Sequence, residues 1–517
     1  VTAGAAASSL AALLDRAALL WPERPAVVDG LRLDQRELAS RVRGLAAGLD
    51  ALGIRPGHRI ATLCDNRWEL LALYFAAARL GAILVPGNTR LTAAEHAGIQ
   101  SRAAPRLLCA EAGYADLATG LAASSGGPEL LWIGPVERPG TEIAELLIPA
   151  DHAPRHPTRA EDPAQLYFTS GTTGSPKGVI LTQGNVLAHA VMTVAELGLG
   201  ESEVWAHVAP MFHLADAWAT FAITAVGGCH VFLRRFDARA ALDLLERERV
   251  TVTNLVPTML NRVVREPDAA RRDLRGLRLL MSGGAPIAPE TVRAVVETFG
   301  CTYVQTYGMT ETSPYLTFSL LTERQRELPA ADRLRIAART GRPVLGLELR
   351  VVDDSGLPVP PDDASVGEIQ VRGPTVTPGY WNDPEATAAA FTDDGFLRTG
   401  DLATVDPGGS VRIVDRRKDV ILSGGETVYS TEVEFRLHEH PAVLEAAVYG
   451  LPDADLGERV CAAVALRPGA AAGEGELIAF CRDRLAGFKS PKAIRLVDAL
   501  PRLGSGKVDK RALRAGG

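Results

Sequence analysis

Lysine is nearly missing from this chain. Of 55 basic residues only six are lysine, at 177, 418, 489, 492, 507 and 510, and the other 49 are arginine. A chain so biased keeps lysine mainly where a compact, rotatable ammonium is needed, so these six positions stand out before any motif is read. Cysteine is also scarce: six in 517 residues, with no C-x-x-C pair. That argues against a zinc knuckle or a disulfide framework and fits a reducing cytoplasm. A basic excess is absent, since 55 basic against 62 acidic residues leaves a net charge of −7, which disfavours a nucleic-acid partner. Long apolar spans are lacking too. The longest uncharged apolar stretch, between Asp216 and Arg234, contains Gly227, Gly228 and His230 and reads as a buried helix followed by a strand, not a membrane span. The N-terminal apolar run has no basic flank and is broken by Asp15 and Arg16. It reads as a helix packed on the body, not a signal peptide.

What remains is ordinary globular material, 47% hydrophobic and 23% charged, long enough for two to four domains. From Ala26 to about residue 310 short apolar runs alternate with helical periodicities, which predicts parallel strands covered on both faces. One helix start carries a candidate capping box, Asn66 with Glu69. Beyond about 340 the texture changes to short β runs with turns. After Asp419 two helices and three strands predict a compact α+β unit, with the boundary at 415–419.

The sharpest local signal is TSGTTGSPKG at 169–178, directly after the apolar run AQLYF. Its glycines let backbone approach a ligand closely, while hydroxyls, free N–H groups and Lys177 suit phosphate oxygens. The spacing is not that of a Walker A loop. VILT follows as a strand, so a helix dipole is not the expected anchor. YGMTE at 307–311, TGD at 399–401, DRRKD at 415–419 and PRLGSGK at 501–507 add an aromatic, carboxylates and two lysines. Their shared chemistry is that of holding a nucleoside triphosphate.

In order, these segments resemble the core motifs of the adenylate-forming (ANL) superfamily, over nearly the whole chain. APMFHLADAW, SGGAP, YGMTETSP, GYWNDPEAT, DGFLRTGD and SGGETVYSTEVE look most like its fatty-acyl and aryl-acid CoA synthetases. The resemblance implies an α/β fold: a large N-terminal region of two αβ layers plus a small β-barrel (1–415), a hinge (416–418) and a small mobile α+β domain (419–517). It implies a phosphate loop of Thr169, Ser170, Gly171, Thr172, Thr173, Gly174 and Lys177. Gly284, Ala285, Pro286, Tyr307, Gly308 and Thr310 would surround the nucleotide, with Tyr307 stacked on adenine. Glu311, with Thr172, would hold Mg²⁺. Asp401 would take the ribose hydroxyls with Arg416 assisting, Lys418 would be the hinge, and Lys507 would contact the reacting carboxylate and α-phosphate. Lys510 reads only as a solvated helix start.

Three assignments stay open at this level. His213 faces the acid or packs in the core. Asp216 reads a polar substrate group or points elsewhere, because an unpaired carboxylate in an apolar pocket is costly. Gly283 and Gly425, matched to the acid pocket and the thiol tunnel, and Gly284 beside the nucleotide serve equally as turn glycines. The implied reaction joins a monocarboxylic acid to ATP as an acyl-adenylate and passes the acyl group to coenzyme A. A free-standing carrier protein or an amine is the alternative acceptor, a non-catalytic nucleotide-binding regulator is a further reading, and homodimerisation is left open.

Overall fold

The computed structural model describes residues 9–124, 126–169, 176–285, 287, 289–502 and 508–516. Two compact units emerge, Val1–Glu348 with Val371–Leu397, and Leu349–Gln370 with Arg398–Gly517. The first is built on two large sheets. In the nine-stranded sheet the central strands Thr302–Gly308, Leu279–Ser282, Val252–Asn254, Val204–His207, Cys229–Phe232 and Pro25–Val28 run parallel, with antiparallel strands at both edges. In the seven-stranded sheet, parallel pairing ends at the antiparallel hairpin Pro163–Thr169/Lys177–Thr182. The α/β alternation predicts this parallel pairing, because each crossover helix covers a sheet face.

Helix Trp68–Leu80 shows why so much apolar sequence sits in helices. Eleven of its 13 residues are buried, and they join residues of both sheets in one core. A helix apolar on every side has no face for water and belongs between layers. Its start departs from expectation: Asn66 and Glu69 form no capping box. Arg67 is the N-cap, and Glu69 pairs with the Arg67 guanidinium at 2.9 Å. Buried Asn66 instead bonds into the loop after strand Val204–His207. A cap contributes about 1 kcal/mol, whereas burying an unbonded amide costs roughly 2 kcal/mol or more. The loop contacts therefore win.

The expected helix and strand between Asp216 and Arg234 are present as Ala219–Ala225 and Cys229–Phe232. Among the described residues no helix is long and apolar enough to cross a membrane.

The second unit holds a four-stranded sheet, Glu348–Val352, Gly367–Arg372, Leu397–Val405 and Val411–Arg416, whose outermost residues count with the first unit. It also holds a five-stranded sheet centred on the long hairpin Val443–Asp453/Gly457–Leu466, with helices Ser430–His438 and Glu474–Arg482. This grouping places 349–370 and 398–415 with the C-terminal residues. Asp415 gives a local reason. Its buried carboxylate accepts from the Ser430 backbone N–H and, at 3.1 Å, from the Ser430 hydroxyl, so strand Val411–Arg416 anchors the start of helix Ser430–His438. A carboxylate there also complements the helix dipole. Lys510 is not solvated as expected: its ammonium lies 2.8 Å from Glu434 and 2.8 Å from the Ser430 hydroxyl.

His189, on helix Gln183–Leu197, is fully enclosed, and its Nε2 accepts the Tyr315 N–H at 3.3 Å. Burial pushes its imidazole down to about 3. The folded state thus keeps it neutral while the unfolded chain binds a proton below about pH 6.5. Its contribution is complete above pH 6.5 and is lost as pH falls towards 3, because there the unfolded state holds the extra proton. His189→Gln is expected to flatten the dependence of unfolding free energy on pH between 4 and 6 by about 1.4 kcal/mol per pH unit. Denaturant titrations at several pH values measure this; an unchanged slope refutes it.

Candidate active site

The hairpin Pro163–Thr169/Lys177–Thr182 closes with Thr169 opposite Lys177, so the ends of the glycine- and hydroxyl-rich segment are held side by side. Its middle, with Ser170, Gly171, Thr172, Thr173 and Gly174, lies outside the described residues, as do Pro286 and Lys507. A second segment, 374–381, clamps this hairpin along strand Lys177–Thr182. The Trp381 N–H donates to Gly178 O at 2.7 Å, and the Ile180 N–H donates to Gly379 O at 3.1 Å. The Thr377 hydroxyl donates to Ile180 O at 2.6 Å. Gly178 fits because a Cβ there would lie 3.0 Å from the Phe168 ring and 3.3 Å from Trp381 Cβ.

Tyr380, in this clamp, meets two of the expected nucleotide residues. The Lys177 ammonium lies 4.9 Å from the centre of its ring. Its hydroxyl donates to Glu311 Oε1 at 3.0 Å. Glu311 sits in the 3₁₀ turn Thr310–Thr312, buried, with its carbonyl accepting the Thr377 N–H at 2.8 Å. Burial and the adjoining carboxylate push the Tyr380 phenol well above its usual range, so it remains a donor.

The turn at 283–285 abuts the strand that leads to Glu311. A Cβ on Gly283 would fall 2.2 Å from the Thr306 hydroxyl oxygen, so glycine is needed for the contact. Thr306 Oγ1 donates to Ser282 O at 3.1 Å, and Gln305 Nε2 donates to Ala285 O at 3.1 Å. Gly284 takes a positive φ of 83°. Tyr307 is buried at the strand end. Gly308 has no alternative, because a Cβ would lie 1.8 Å from Pro314 O. Thr169, Lys177, Gly283, Gly284, Ala285, Tyr307, Gly308, Thr310 and Glu311 are thereby linked through adjoining segments of the first unit.

The PMFHLADAW segment is held differently from expectation. Asn66 fixes its approach: Nδ2 donates to His207 O and Ala209 O at 2.9 Å each, and Oδ1 accepts the Met211 N–H at 2.7 Å. The Tyr74 hydroxyl donates to Met211 O at 3.1 Å and lies 2.7 Å from that of Tyr167, on the strand entering the phosphate segment. His213 is half-buried at the start of the turn Leu214–Ala217, edge-on to Phe212 at 4.8 Å.

Asp216 is turned into the core towards His207. It is 0% exposed, and Oδ2 lies 2.5 Å from His207 Nδ1. His207 Nε2 is 3.0 Å from His230 Nδ1, and His230 Nε2 is 3.0 Å from the Thr224 hydroxyl. Burial pushes the Asp216 carboxyl up and both imidazoles down, towards the uncharged forms. With the proton on Asp216 Oδ2 and both rings neutral, the chain runs from Asp216 O–H to His207 Nδ1, from His207 Nε2–H to His230 Nδ1, and from His230 Nε2–H to the Thr224 hydroxyl. An ionised pair here would lose its hydration in an apolar core, which explains the preference.

In the second unit Asp401 is buried and pairs across strands with Arg416, Oδ1 to Nε at 3.3 Å. Lys418 follows in the turn Arg417–Asp419. Gly424 and Gly425 form a two-residue hairpin tip between Ile421–Ser423 and Glu426–Val428, both with positive φ, 62° and 81°. That turn by itself requires glycine at Gly425.

Sequence reasoning missed Tyr380, His207 and the true partner of Asn66. The Tyr380 signal was present in GYW, read only as resemblance. Nothing local marks His207, because its partner lies nine residues away and its stacking neighbours are on another strand.

If Asp216 works as a neutral donor, Asp216→Asn keeps an N–H for His207 and is expected within about 1 kcal/mol of the parent stability. Asp216→Ala orphans the ring and costs roughly 1–3 kcal/mol. It should also raise KM for the acid, by loosening the turn that begins at His213, while KM for ATP holds. Unfolding midpoints and paired KM values measure this, and equal damage in both variants shows instead that the charge is needed.

Comparison with known proteins shows the family. Residues 14–381 match the family described as AMP-binding enzyme, and residues 432–507 match the AMP-binding enzyme C-terminal domain. The chain is 38% identical to a feruloyl-CoA synthase of an Amycolatopsis species, over 96% of this chain and 98% of that one. It is 36% identical to a long-chain-fatty-acid–CoA ligase of Thermus thermophilus, over 97% and 94%. The structure superposes on ATP-bound MatB from Rhodopseudomonas palustris with a TM-score of 0.87 at 32% identity, covering 98% of each chain. The chain belongs to the AMP-binding, adenylate-forming enzymes and is an acid–CoA ligase of that family.

Proposed function

We propose that the chain adenylates its acid with the Lys177–Tyr380–Glu311 cluster at the phosphates, and the geometry of that cluster is the observation that carries this reading. Direct attack of a thiol on a carboxylate is slow because the leaving group is poor. Attack of the carboxylate on the ATP α-phosphate, with loss of pyrophosphate, converts it to a mixed anhydride that a thiol opens readily. The charge to be stabilised lies on phosphate oxygens, so the site needs cations and N–H or O–H donors rather than a protein nucleophile.

Each residue then has a task. Lys177 and the 170–175 segment hold the phosphates, and Tyr307 with the 283–286 turn holds the base. Asp401 accepts from the ribose hydroxyls, with Arg416 alongside. His213 borders the acid. Lys507 offsets charge on the reacting carboxylate and α-phosphate, and residues 416–418 form the hinge of the C-terminal domain.

Mg²⁺ fits the donors present. Among the described residues no group of three or more His, Cys, Asp or Glu gathers to hold a metal alone. A single hard carboxylate, Glu311, lies in the cluster, and Mg²⁺ is typically held by one or two carboxylates together with substrate phosphates. Bound there it would neutralise phosphate charge. All six cysteines are free and buried, in keeping with a reducing compartment. The acid proposed is a fatty or aryl monocarboxylic acid.

Three outcomes are expected. AMP and pyrophosphate form from ATP only with Mg²⁺ and a suitable acid in a panel of fatty, benzoic and cinnamic acids, and acyl-CoA follows only with coenzyme A; ADP and phosphate in their place overturn adenylation. Lys507→Ala loses adenylate formation by ~10²-fold or more yet still converts supplied acyl-AMP and coenzyme A to thioester. Lys418→Pro, with φ fixed and its N–H deleted, forms adenylate but stalls before thioester. Equal loss of both half-reactions in both variants refutes the hinge assignment.

A further inference from the structure

We propose that Tyr380 is a positioning residue for ATP, coupling the Glu311 carboxylate to Lys177 at the base of the phosphate segment. This rests on the adenylation reading above.

The side chain acts at both ends. At its tip the hydroxyl donates to Glu311 Oε1 at 3.0 Å, a bond to an ionised acceptor that fixes which way the carboxylate is turned. On its face the ring lies 4.9 Å from the Lys177 ammonium, close enough to hold a flexible four-carbon stem in place. Its backbone is equally constrained. Tyr380 bridges Val179, its N–H donates to Thr387 Oγ1 at 2.9 Å, and the flanking Gly379 and Trp381 bond the same strand. Gly379 has no substitute, since a Cβ would lie 2.4 Å from the Thr387 methyl carbon at φ 145°. The ring therefore cannot drift relative to the strand that begins with Lys177.

The Glu311 turn is held by the same segment, through the Thr377 N–H to Glu311 O. Two charges of opposite sign, both proposed to act on one triphosphate, thus take their separation from a single rigid aromatic side chain. Neither would hold its place alone: a lysine ammonium ranges over several rotamers, and a carboxylate can rotate about its last bond.

The test separates hydroxyl from ring and needs no knowledge of the acid. Binding of ATP is measured by calorimetry across a Mg²⁺ titration, for the parent protein, Tyr380→Phe, Tyr380→Ala and Glu311→Gln. Tyr380→Phe is expected to raise both the Kd for ATP at fixed Mg²⁺ and the Mg²⁺ concentration at half-saturation by about tenfold, in the direction of Glu311→Gln. Tyr380→Ala, which also strips the face under Lys177, weakens ATP binding further even without Mg²⁺. Once an acid is found, KM for ATP rises in Tyr380→Phe while KM for the acid and the conversion of supplied acyl-AMP to thioester stay within twofold. If Tyr380→Phe binds ATP with the parent's Mg²⁺ dependence while Glu311→Gln does not, Tyr380 has no positioning role although the site assignment survives. If Glu311→Gln also matches the parent, both fail.

Discussion

A short stretch of irregular backbone, 374–381, fixes the geometry of the cluster. It carries no regular structure of its own, so its polar groups must find partners elsewhere. They find them on strand Lys177–Thr182 and on the Glu311 turn. Asn185 secures its start, donating to Pro374 O at 2.7 Å and Val376 O at 3.0 Å. Segments nearly two hundred residues apart in sequence are thereby locked together by main-chain bonds. Such bonds tolerate less displacement than side-chain packing, and Lys177 and Glu311, at the ends they hold, inherit that precision.

The loop that bears His213 obeys the same logic with side chains. Asn66 answers three of its backbone groups, Tyr74 a fourth, and Ala215 O accepts from Trp218 Nε1, Tyr315 Oη and Asn254 Nδ2 at 2.9–3.1 Å. The Asp216–His207–His230 chain ties the following turn to two parallel strands. The loop is thus set by buried polar networks, whose members are costly to leave unpaired.

Much of this was legible in the sequence and some could not be. Alternation of strand and helix patterns gives the parallel sheets because periodicity is a local property. The hairpin around the phosphate segment follows from AQLYF and VILT, two β runs separated by glycines. Asn66 looked like a residue with a local task, a cap, while Asp216 read either as a pocket carboxylate or as one pointing elsewhere. Their partners lie 141 and nine residues away. A short polar residue before a helix carries the same local signal whether it caps that helix or answers another loop. Only burial decides, and burial is a property of the assembled layers.

The scarcity of lysine has a fuller explanation in the structure than catalysis alone. Lys177 lies over an aromatic ring, where a compact ammonium is held by charge and not by a fork of donors. Lys489 bridges both oxygens of Glu432 at 2.9 Å, and Lys510 reaches Glu434 and Ser430 with only 16% of its side chain exposed. Glu434 shows the constraint there: burial pushes its carboxyl up, and the Lys510 ammonium opposes that shift. A guanidinium, broader and planar, would need a wider opening to offer its donors at the same point. Three of the six lysines thus sit in two kinds of place, Lys177 against an aromatic face and Lys489 and Lys510 in carboxylate pairs of the second unit. A lysine in an arginine-rich chain marks a confined charge, and only its neighbours tell whether the confinement serves a substrate or the fold.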